Sequence, residues 1–528
     1  MVNKKIQKLS TLFIFFFIFI AFKTDYRITN ELLCCGDDFD YYSHAYTIAV
    51  DFDFDYSNQL IEGHSETFFY NGKIAPLGFV GSGILASPLL LIGNILDQLN
   101  ANSTIPNKTL FYSLSPVIYL FISIKLLYST LLKLDKNPNL LFITLLIFGS
   151  GVSYYAFERF SMTHVYEIFT ISLILYITTL ILKNHKNRNF IIMLLPFTIS
   201  ISFLVRYTNY YILLLPYILK KLFFDNKTKM FVKSDFKALI ISSIFSSYVF
   251  FFITKNVYGI FTLNPTTLYM NESILNSYFA RTNNFFDFFM FNLKSMLIVF
   301  FSQEFGIFWF SSIISFGLFS VIFSIKKHGI YLSLALLICF LQNFVVVVMW
   351  QSSASSYGYR YLFSLIPLSI IIFYSLENSF FKKFSIFYLS IFSLFGVLSV
   401  LFFESTLETQ LSTTKVVNSF GKNILYSNPD YLSGVLNSFF SLEGYINLVG
   451  NSLLLASILK LLLYFNLEVT FVNLLSIDLP EKFQTYLFLL EGINLLNYII
   501  FLFFLVWPIL KIINFKKDYF KVNFFDQL

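Results

Sequence analysis

Long apolar runs alternate with short polar breaks along nearly the whole chain. They fall near residues 9–22, 76–96, 109–132, 140–157, 163–182, 190–205, 208–219, 238–257, 304–325, 330–349, 361–376, 384–403, 445–465 and 484–510. These runs lack the strict alternation of a half-buried strand and the narrow stripe of a surface helix. About 20 mostly apolar residues cross the hydrocarbon core of a bilayer as a helix. The pattern therefore predicts an all-α integral membrane protein, a polytopic helical bundle of about 11–13 spans.

The polar breaks sort by side. Lys4, Lys5 and Lys8, Lys133 and Lys136, Lys183, Lys186 and Arg188, Lys220 and Lys221 through Lys237, Lys326 and Lys327, Lys382 and Lys383, and Lys511, Lys516 and Lys517 form clusters between runs. Such clusters mark cytoplasmic loops. Residues 190–219 lie between two basic loops and must cross an even number of times, as two short spans with Arg206–Asn209 at the outer turn. Two regions resist a simple count. Run 76–96, as a full span, would put Lys133 outside. It carries Pro76, Gly78, Gly81, Gly83, Pro88 and Gly93, so a tucked, non-spanning segment covered by protein removes the conflict. At the C-terminus, counting 445–465 and 484–510 as one span each leaves Lys516 and Lys517 outside.

On this map the remaining polar stretches share the outer face. They are CCGDDFDYYSHAYTIAVDFDFDYSNQL at 34–60, ERFSMTH (Glu158–His164), RYTN (Arg206–Asn209), the loop at 258–291 with Arg281, and WQSSASSYGYRY (Trp350–Tyr361).

Composition agrees with the pattern. The chain is 528 residues long, 56% hydrophobic and 13% charged, with 71 phenylalanines and a mean hydropathy of +0.69. A soluble fold could not hide that much apolar surface. The N-terminal MVNKKIQKLS precedes TLFIFFFIFIAF without a small-residue cleavage site before KTDYR, which predicts an uncleaved first span. Cys34 and Cys35 are adjacent and Cys339 sits in an apolar run, so there is no disulfide framework and no zinc spacing. The net charge of +7 is the lysine excess of cytoplasmic loops, not a nucleic-acid signal. Low arginine with abundant Phe, Ile, Asn and Lys points to an AT-rich, bacterial genome, and so to the inner (cytoplasmic) membrane with the outer face periplasmic.

Arginine and lysine are used differently. Of 37 basic residues six are arginine, and Arg27, Arg159, Arg206, Arg281 and Arg360 fall on the outer face, leaving only Arg188 elsewhere. A guanidinium is a planar fork that binds phosphate or carboxylate bidentately, whereas a solvated loop needs only a point charge. The outer face is therefore expected to bind an anionic group, with local pairing to acids such as Glu158 as the simpler alternative.

Between Asp25 and Glu66 stand ten acids and one arginine. One reading is a solvated acidic loop, although Tyr41, Tyr42, Tyr46, Phe52, Phe54 and Tyr56 suit a segment packed on the membrane face. A second is a metal loop. Asp51, Asp53, Asp55, Ser57, Gln59 and Glu62 match calcium-loop spacing, but Tyr56 stands where glycine is needed. A third is catalysis. Asp37, Asp38 and Asp40 lie just beyond the first span, where burial and like-charge neighbours raise a carboxyl pKa toward working pH. Such a carboxylate accepts a proton from an attacking hydroxyl, and opposing arginines stabilise a departing phosphate.

The order of span, GDDFDYYSHA, NGKIAPLGFVGSGILASP, ERFSMTHVYEIF, RYTNYYILLLP and SSYGYRYLFSLIP resembles the GT-C superfamily of polytopic glycosyltransferases. It is close to bacterial mannosyltransferase-like and aminoarabinose-transferase-like members. GDDFDYY stands at the family's acidic motif, with Asp38 where glutamate is commoner. KIAPLG (Lys73–Gly78) stands at its proline segment, with only Pro76 of the paired prolines. The resemblance covers residues 1–260 as a shared module with its first outer loop at 24–75, plus the patch at 350–367, and leaves 261–528 as a variable C-terminal module. It implies inverting transfer of a sugar from a polyprenyl-phosphate donor to a lipid, glycan or protein hydroxyl at the outer face. Asp37 or Asp38, with Asp40 beside them, would supply the base. Lys73, Arg206, Arg281 and Arg360 would hold the donor phosphate. Arg159, Tyr357 and Tyr359 would line the substrate. His44, His64 and His164 are metal or acceptor candidates or plain hydrogen-bonding histidines, with His64 and His164 set among the lining residues. A divalent metal stays open as a cofactor, with Asp51, Asp53, Asp55 and Glu62 as its candidates. The rival classes are a multi-span transporter, which would need charges at mid-membrane in related halves, and a lipid-linked glycan polymerase or ligase.

Overall fold

The computed structural model describes chiefly residues 2–23, 36–59, 67–70, 73–76, 78–99, 106–225, 228–263, 296–302, 305–350, 357–376 and 380–402, with parts of 415–467. The described residues are mostly helical. In chain order the first elements are α1 (Val2–Lys23), α2 (Gly36–Tyr46), a hairpin of β1 (Thr67–Tyr70) and β2 (Lys73–Pro76), α3 (Val80–Leu99), α4 (Asn107–Lys133), α5 (Leu140–Phe148) and α6 (Val152–Phe157). Next come α7 (His164–Leu182), α8 (Arg188–Val205), α9 (Leu215–Phe223), α10 (Asp235–Tyr258), α11 (Ser312–His328), α12 (Ile330–Trp350), α13 (Ile366–Ser375) and α14 (Phe380–Leu401). A second hairpin, β3 (Lys415–Ser419) with β4 (Lys422–Tyr426), precedes α15 (Tyr431–Phe440) and α16 (Leu442–Gly450). Both hairpins are antiparallel.

Six of these helices, α3, α4, α7, α8, α10 and α14, are long and apolar enough to cross a membrane. The chain is a helical membrane protein by that measure. The main core cluster draws on residues from Leu12 to Val435. The run at 140–157 breaks into α5 and α6 at Gly151, whose φ of +91° is left-handed and whose missing side chain leaves room for the Tyr357 ring. α1 lies along this pair through edge and tilted ring contacts of Phe16 and Phe19 with Phe148 and Phe157, each worth about 0.5–1.5 kcal/mol beyond area burial.

Polar contacts order the helices along the bundle axis. At one end Lys183 pairs with Asp135, Arg188 pairs with Asp235 at 2.7 Å, and Lys136 and Lys183 sit over Phe223 and Phe224. This is the lysine end, where the basic breaks of residues 133–237 gather as their pattern predicts. At the other end Lys23 meets Glu158 at 2.9 Å, Arg159 meets Asp38 at 3.1 Å and Arg206 meets Glu167 at 2.7 Å. α8 and the segment from Tyr210 to Phe223 form the expected pair of opposed short elements, with Arg206–Asn209 at the turn between them.

Run 76–96 forms α3, which is long and apolar enough to cross a membrane, yet its contacts lead outward from the site end. α3 begins at the site end, where Gly81 lies so close to Val205 that an added Cβ would sit 2.2 Å from its backbone nitrogen. From there α3 runs away from the bundle. The Tyr119 hydroxyl donates to the Leu85 carbonyl at 2.9 Å, and Asp97 accepts from the Asn107 side chain at 2.9 Å and the Lys108 amide at 3.0 Å. On α4 the level of α7's first turn is marked by Ser115, which accepts from the Tyr166 hydroxyl at 3.0 Å. The start of α4 therefore rises about 12 Å beyond that level at 1.5 Å per residue. α2, α3 and the start of α4 form a cap on the site end, and Lys133 joins the other lysines without conflict.

This geometry fixes a labelling pattern. On a background with Cys34, Cys35 and Cys339 replaced by serine, Leu99→Cys is expected to react with an impermeant maleimide from the same side as Ser57→Cys. Lys186→Cys is expected to react from the opposite side. All three positions are exposed. Reaction of Leu99→Cys from the Lys186 side would mean that α3 crosses the membrane.

Candidate functional site

The site is built where the cap meets the bundle. α2 is the next described helix after α1, and Asp38 and Asp40 in its first turns are both buried. Asp38 accepts from Arg159 of the corner between α6 and α7. That corner also supplies Glu158, the partner of Lys23 at the end of α1. The expectation for Asp38 was like-charged neighbours; the structure sets a guanidinium beside it. The same contact makes Arg159 the carboxylate's partner, not an open lining residue.

A second network holds Arg206. Its Nε donates to Glu167 Oε1 at 2.7 Å, and its Nη2 donates to the Thr163 hydroxyl at 2.9 Å. Glu167 Oε1 also accepts from Thr163 and from His164 Nδ1, each at 3.1 Å. Oε2 accepts from the Asn209 amide at 2.9 Å. All five residues are buried. The i, i+3 spacing of His164 and Glu167 puts both on one face of α7's first turn. His164 therefore orients Glu167 and is packed against Tyr155; it is not a lining residue.

The Arg206 guanidinium lies over two rings, Tyr361 at 4.5 Å and Phe79 at 5.3 Å. Arg360 approaches the same Tyr361 ring at 5.5 Å and reaches Met162 Sδ at 3.7 Å. Two guanidiniums thus share one ring, and each repels the other's charge. Arg360 and Tyr361 are only half-buried, so this is the accessible part of the group. Tyr41, one turn beyond Asp38, is an electrostatic neighbour of Arg206, which ties the carboxylate helix to the arginine pair.

The proline segment is locked by His44. Its Nε2 donates to the Gly78 carbonyl at 2.8 Å, and the Tyr56 hydroxyl donates to Nδ1 at 2.7 Å. The Tyr258 hydroxyl reaches the same carbonyl at 3.1 Å. Gly83 lets α3 pass here, since an added Cβ would lie 2.5 Å from His44 Cβ. His44 is thus a hydrogen-bonding residue joining α2, the β2–α3 turn and α10. Burial pushes its pKa from 6.5 down to about 4, partly opposed by the Gly78 carbonyl.

Other expected residues lie elsewhere. Lys73 is exposed on β2, with Asp55 as a charged neighbour, and does not join the arginines. Tyr357 is fully buried, donates to Ser399 Oγ at 2.9 Å and packs in the core; Tyr359 is buried too. The aspartates of the calcium-like spacing serve their own loop. Asp53 accepts from Thr47 at 2.8 Å and from the Asp55 amide at 3.0 Å. Asp55 accepts from the Ser57 amide, which holds its carboxyl below the usual range, and Asp51 accepts from Asn58 and Gln59. Among the described residues no three His, Cys, Asp or Glu side chains could hold a metal ion. Asp37 falls in the first turn of α2; Glu62, His64 and Arg281 lie outside the described residues. The site residues that the sequence reading did not single out are Lys23, Phe79, Thr163, Glu167, Asn209 and Tyr361. Of these Glu167 carried a signal, an acid one turn beyond His164 at the start of an apolar run.

Two outcomes follow. Glu167→Gln removes the counter-charge of buried Arg206 and is expected to destabilise the folded protein by about 3–5 kcal/mol, read as a lower unfolding temperature in detergent. For His44 the folded pKa lies below the unfolded one. Its contribution is complete above pH 6.5 and is lost as pH falls toward about 4, up to about 3 kcal/mol. The unfolding temperature of wild type should fall across that window more steeply than that of His44→Gln; parallel curves would remove His44 as the titrating group.

No protein-family model, curated protein or solved structure matches the chain, so what the site does rests on its own geometry.

Proposed function

We propose that the chain is a GT-C-type membrane glycosyltransferase that moves a sugar from a polyprenyl-phosphate donor to a hydroxyl of a lipid, glycan or protein. One observation carries the reading. A buried carboxylate, Asp38, and two guanidiniums that share the Tyr361 ring, buried Arg206 and half-buried Arg360, lie at the end of the bundle opposite the lysines. The positive-inside rule makes the lysine end cytoplasmic and the site end outer. In a bacterium that is the periplasmic face of the inner membrane.

The chemistry is a displacement with inversion. Asp38 accepts the proton of the acceptor hydroxyl as its oxygen bonds to the anomeric carbon. The bond from that carbon to the phosphate oxygen breaks, and the phosphate leaves with the bonding pair. Arg206 and Arg360 offset the charge that grows on the phosphate. Arg159 fixes the orientation of Asp38, and Glu167 fixes that of Arg206. Charges grouped at one end favour this reading over a transporter, which needs them at mid-membrane.

The test is transfer by purified protein from radiolabelled polyprenyl-phosphate sugars into a lipid extract of the source cells. Asp38→Asn is expected to lower the rate about 10²–10⁴-fold without loss of membrane insertion. Arg360→Lys keeps the charge but loses the fork, and should weaken donor use about tenfold. Full activity of Asp38→Asn, with Asp37→Asn inactive, would move the base one residue back. Folded wild type that transfers from no polyprenyl donor would favour the transporter or the polymerase and ligase classes.

A further inference from the structure

α8 and α10 run side by side in the same direction, joined at the lysine end by Arg188 and Asp235 and near the site end by Tyr207 and Phe250. Between them lies a cavity of about 360 Å³, bounded by Pro196, Ile199 and Phe203 on α8 and by Leu239, Ser243 and Phe250 on α10. That size falls in the range of small-molecule sites, roughly 300–1,000 Å³. Its serines make room by being short. Ser246 Oγ donates to the Ser243 carbonyl at 3.1 Å, so that hydroxyl is satisfied within its own helix and an apolar chain can lie against it without stranding a donor.

The groove faces the bilayer. Leu213 and Leu263 on its rim are exposed, and only 17% of α10's apolar window is buried. Toward the arginine pair it is walled off, because the Tyr207 ring stands between Phe250 and Phe79, and Phe79 lies under Arg206. An occupant therefore enters from the lipid and not from the site. At the site end of α10 stands an exposed cation. Lys255 Nζ lies 4.6 Å over the Phe261 ring, and Phe261 touches Phe251 of the groove wall. An apolar slot at chain depth with an ammonium at headgroup depth matches one lipid chemistry.

We propose that the groove between α8 and α10 binds an anionic phospholipid, with one acyl chain in the groove and the phosphate at Lys255. The site does not depend on the glycosyl-transfer reading. The test uses phosphatidylglycerol with a mid-chain diazirine, in nanodiscs of phosphatidylcholine, with cross-linked peptides mapped by mass spectrometry. Cross-links are expected at the groove positions on α8 and α10 in preference to the outward residues Ile244 and Tyr248. A zwitterionic probe should label the groove about fivefold less, since one lysine near the surface is worth about 1 kcal/mol. Lys255→Gln should remove that headgroup preference. Ser247→Phe at the exposed rim and Ser243→Leu should each abolish groove labelling while leaving the unfolding temperature and the outward cross-links unchanged. Equal labelling of groove and outward residues, insensitive to headgroup and to all three substitutions, would mean annular lipid only and overturn the proposal.

Discussion

Charge buried at one end of the bundle is the constraint that the remaining structure satisfies. Lys23, Asp38, Glu158, Arg159, Glu167 and Arg206 are all buried, and each ion loses several kcal/mol of hydration, roughly, on leaving water. That cost is met only when opposite charges come within contact distance with their other hydrogen-bonding atoms satisfied. The three pairs therefore dictate register. α1 must end level with the corner at 158–159, α2 must fold back over that corner, and α8 must stop where Arg206 meets the first turn of α7. Sliding α7 by one turn would strand Glu167 in the core without Arg206. Apolar packing alone gives no such penalty, because one phenylalanine-lined groove accepts another about equally well.

The two arginines that share the Tyr361 ring arrive by the same construction. Arg206 precedes a 3-10 turn at Tyr210–Leu214 and an α-helix with Pro216 in its first turn. Arg360 opens a 3-10 turn at Arg360–Leu365 that leads to an α-helix with Pro367 in its first turn. Proline suits that place because its missing N–H has no helical acceptor there and its φ is preset. Each unit sends a helix toward the lysine end and leaves a guanidinium at the opposite end. Tyr361 then serves both, its ring face meeting two cations that would otherwise only repel.

What could be read from the chain alone follows from one-body preferences. Lysine prefers water on one side, and arginine marks the other, so the partition of Lys133, Lys183 and Arg206 between the two ends was legible. So was the turn at Arg206–Asn209 between two short elements. What escaped depended on partners far away in sequence. The Asp97–Asn107 clasp decides that α3 rises from the site end, yet nothing in run 76–96 announces it. His44 and His164 are polar enough for chemistry, and only the Gly78 carbonyl and Glu167 show that they are locks. Tyr357 carries a site-like hydroxyl that Ser399 takes up inside the core. Tyr361 resembled many other tyrosines until Arg206, 155 positions earlier in the numbering, lay across it.

α8 joins these levels. Arg188 anchors it at the lysine end through Asp235 and the Met230 carbonyl, Pro196 interrupts its interior, and Arg206 leaves its last turn for Glu167. A proline inside a helix removes one backbone bond and loosens the segment around it. In α8 that weak point lines the groove shared with α10. A lipid chain in the proposed site would add contacts along this stretch of the element that carries Arg206. The carboxylate helix needs no such support, since α2 is clasped by His44, Gly78, Tyr56 and Tyr258. The site is thus held unequally: by a hydrogen-bonded clasp on the side of Asp38, and on the side of Arg206 through a helix with a proline in its interior.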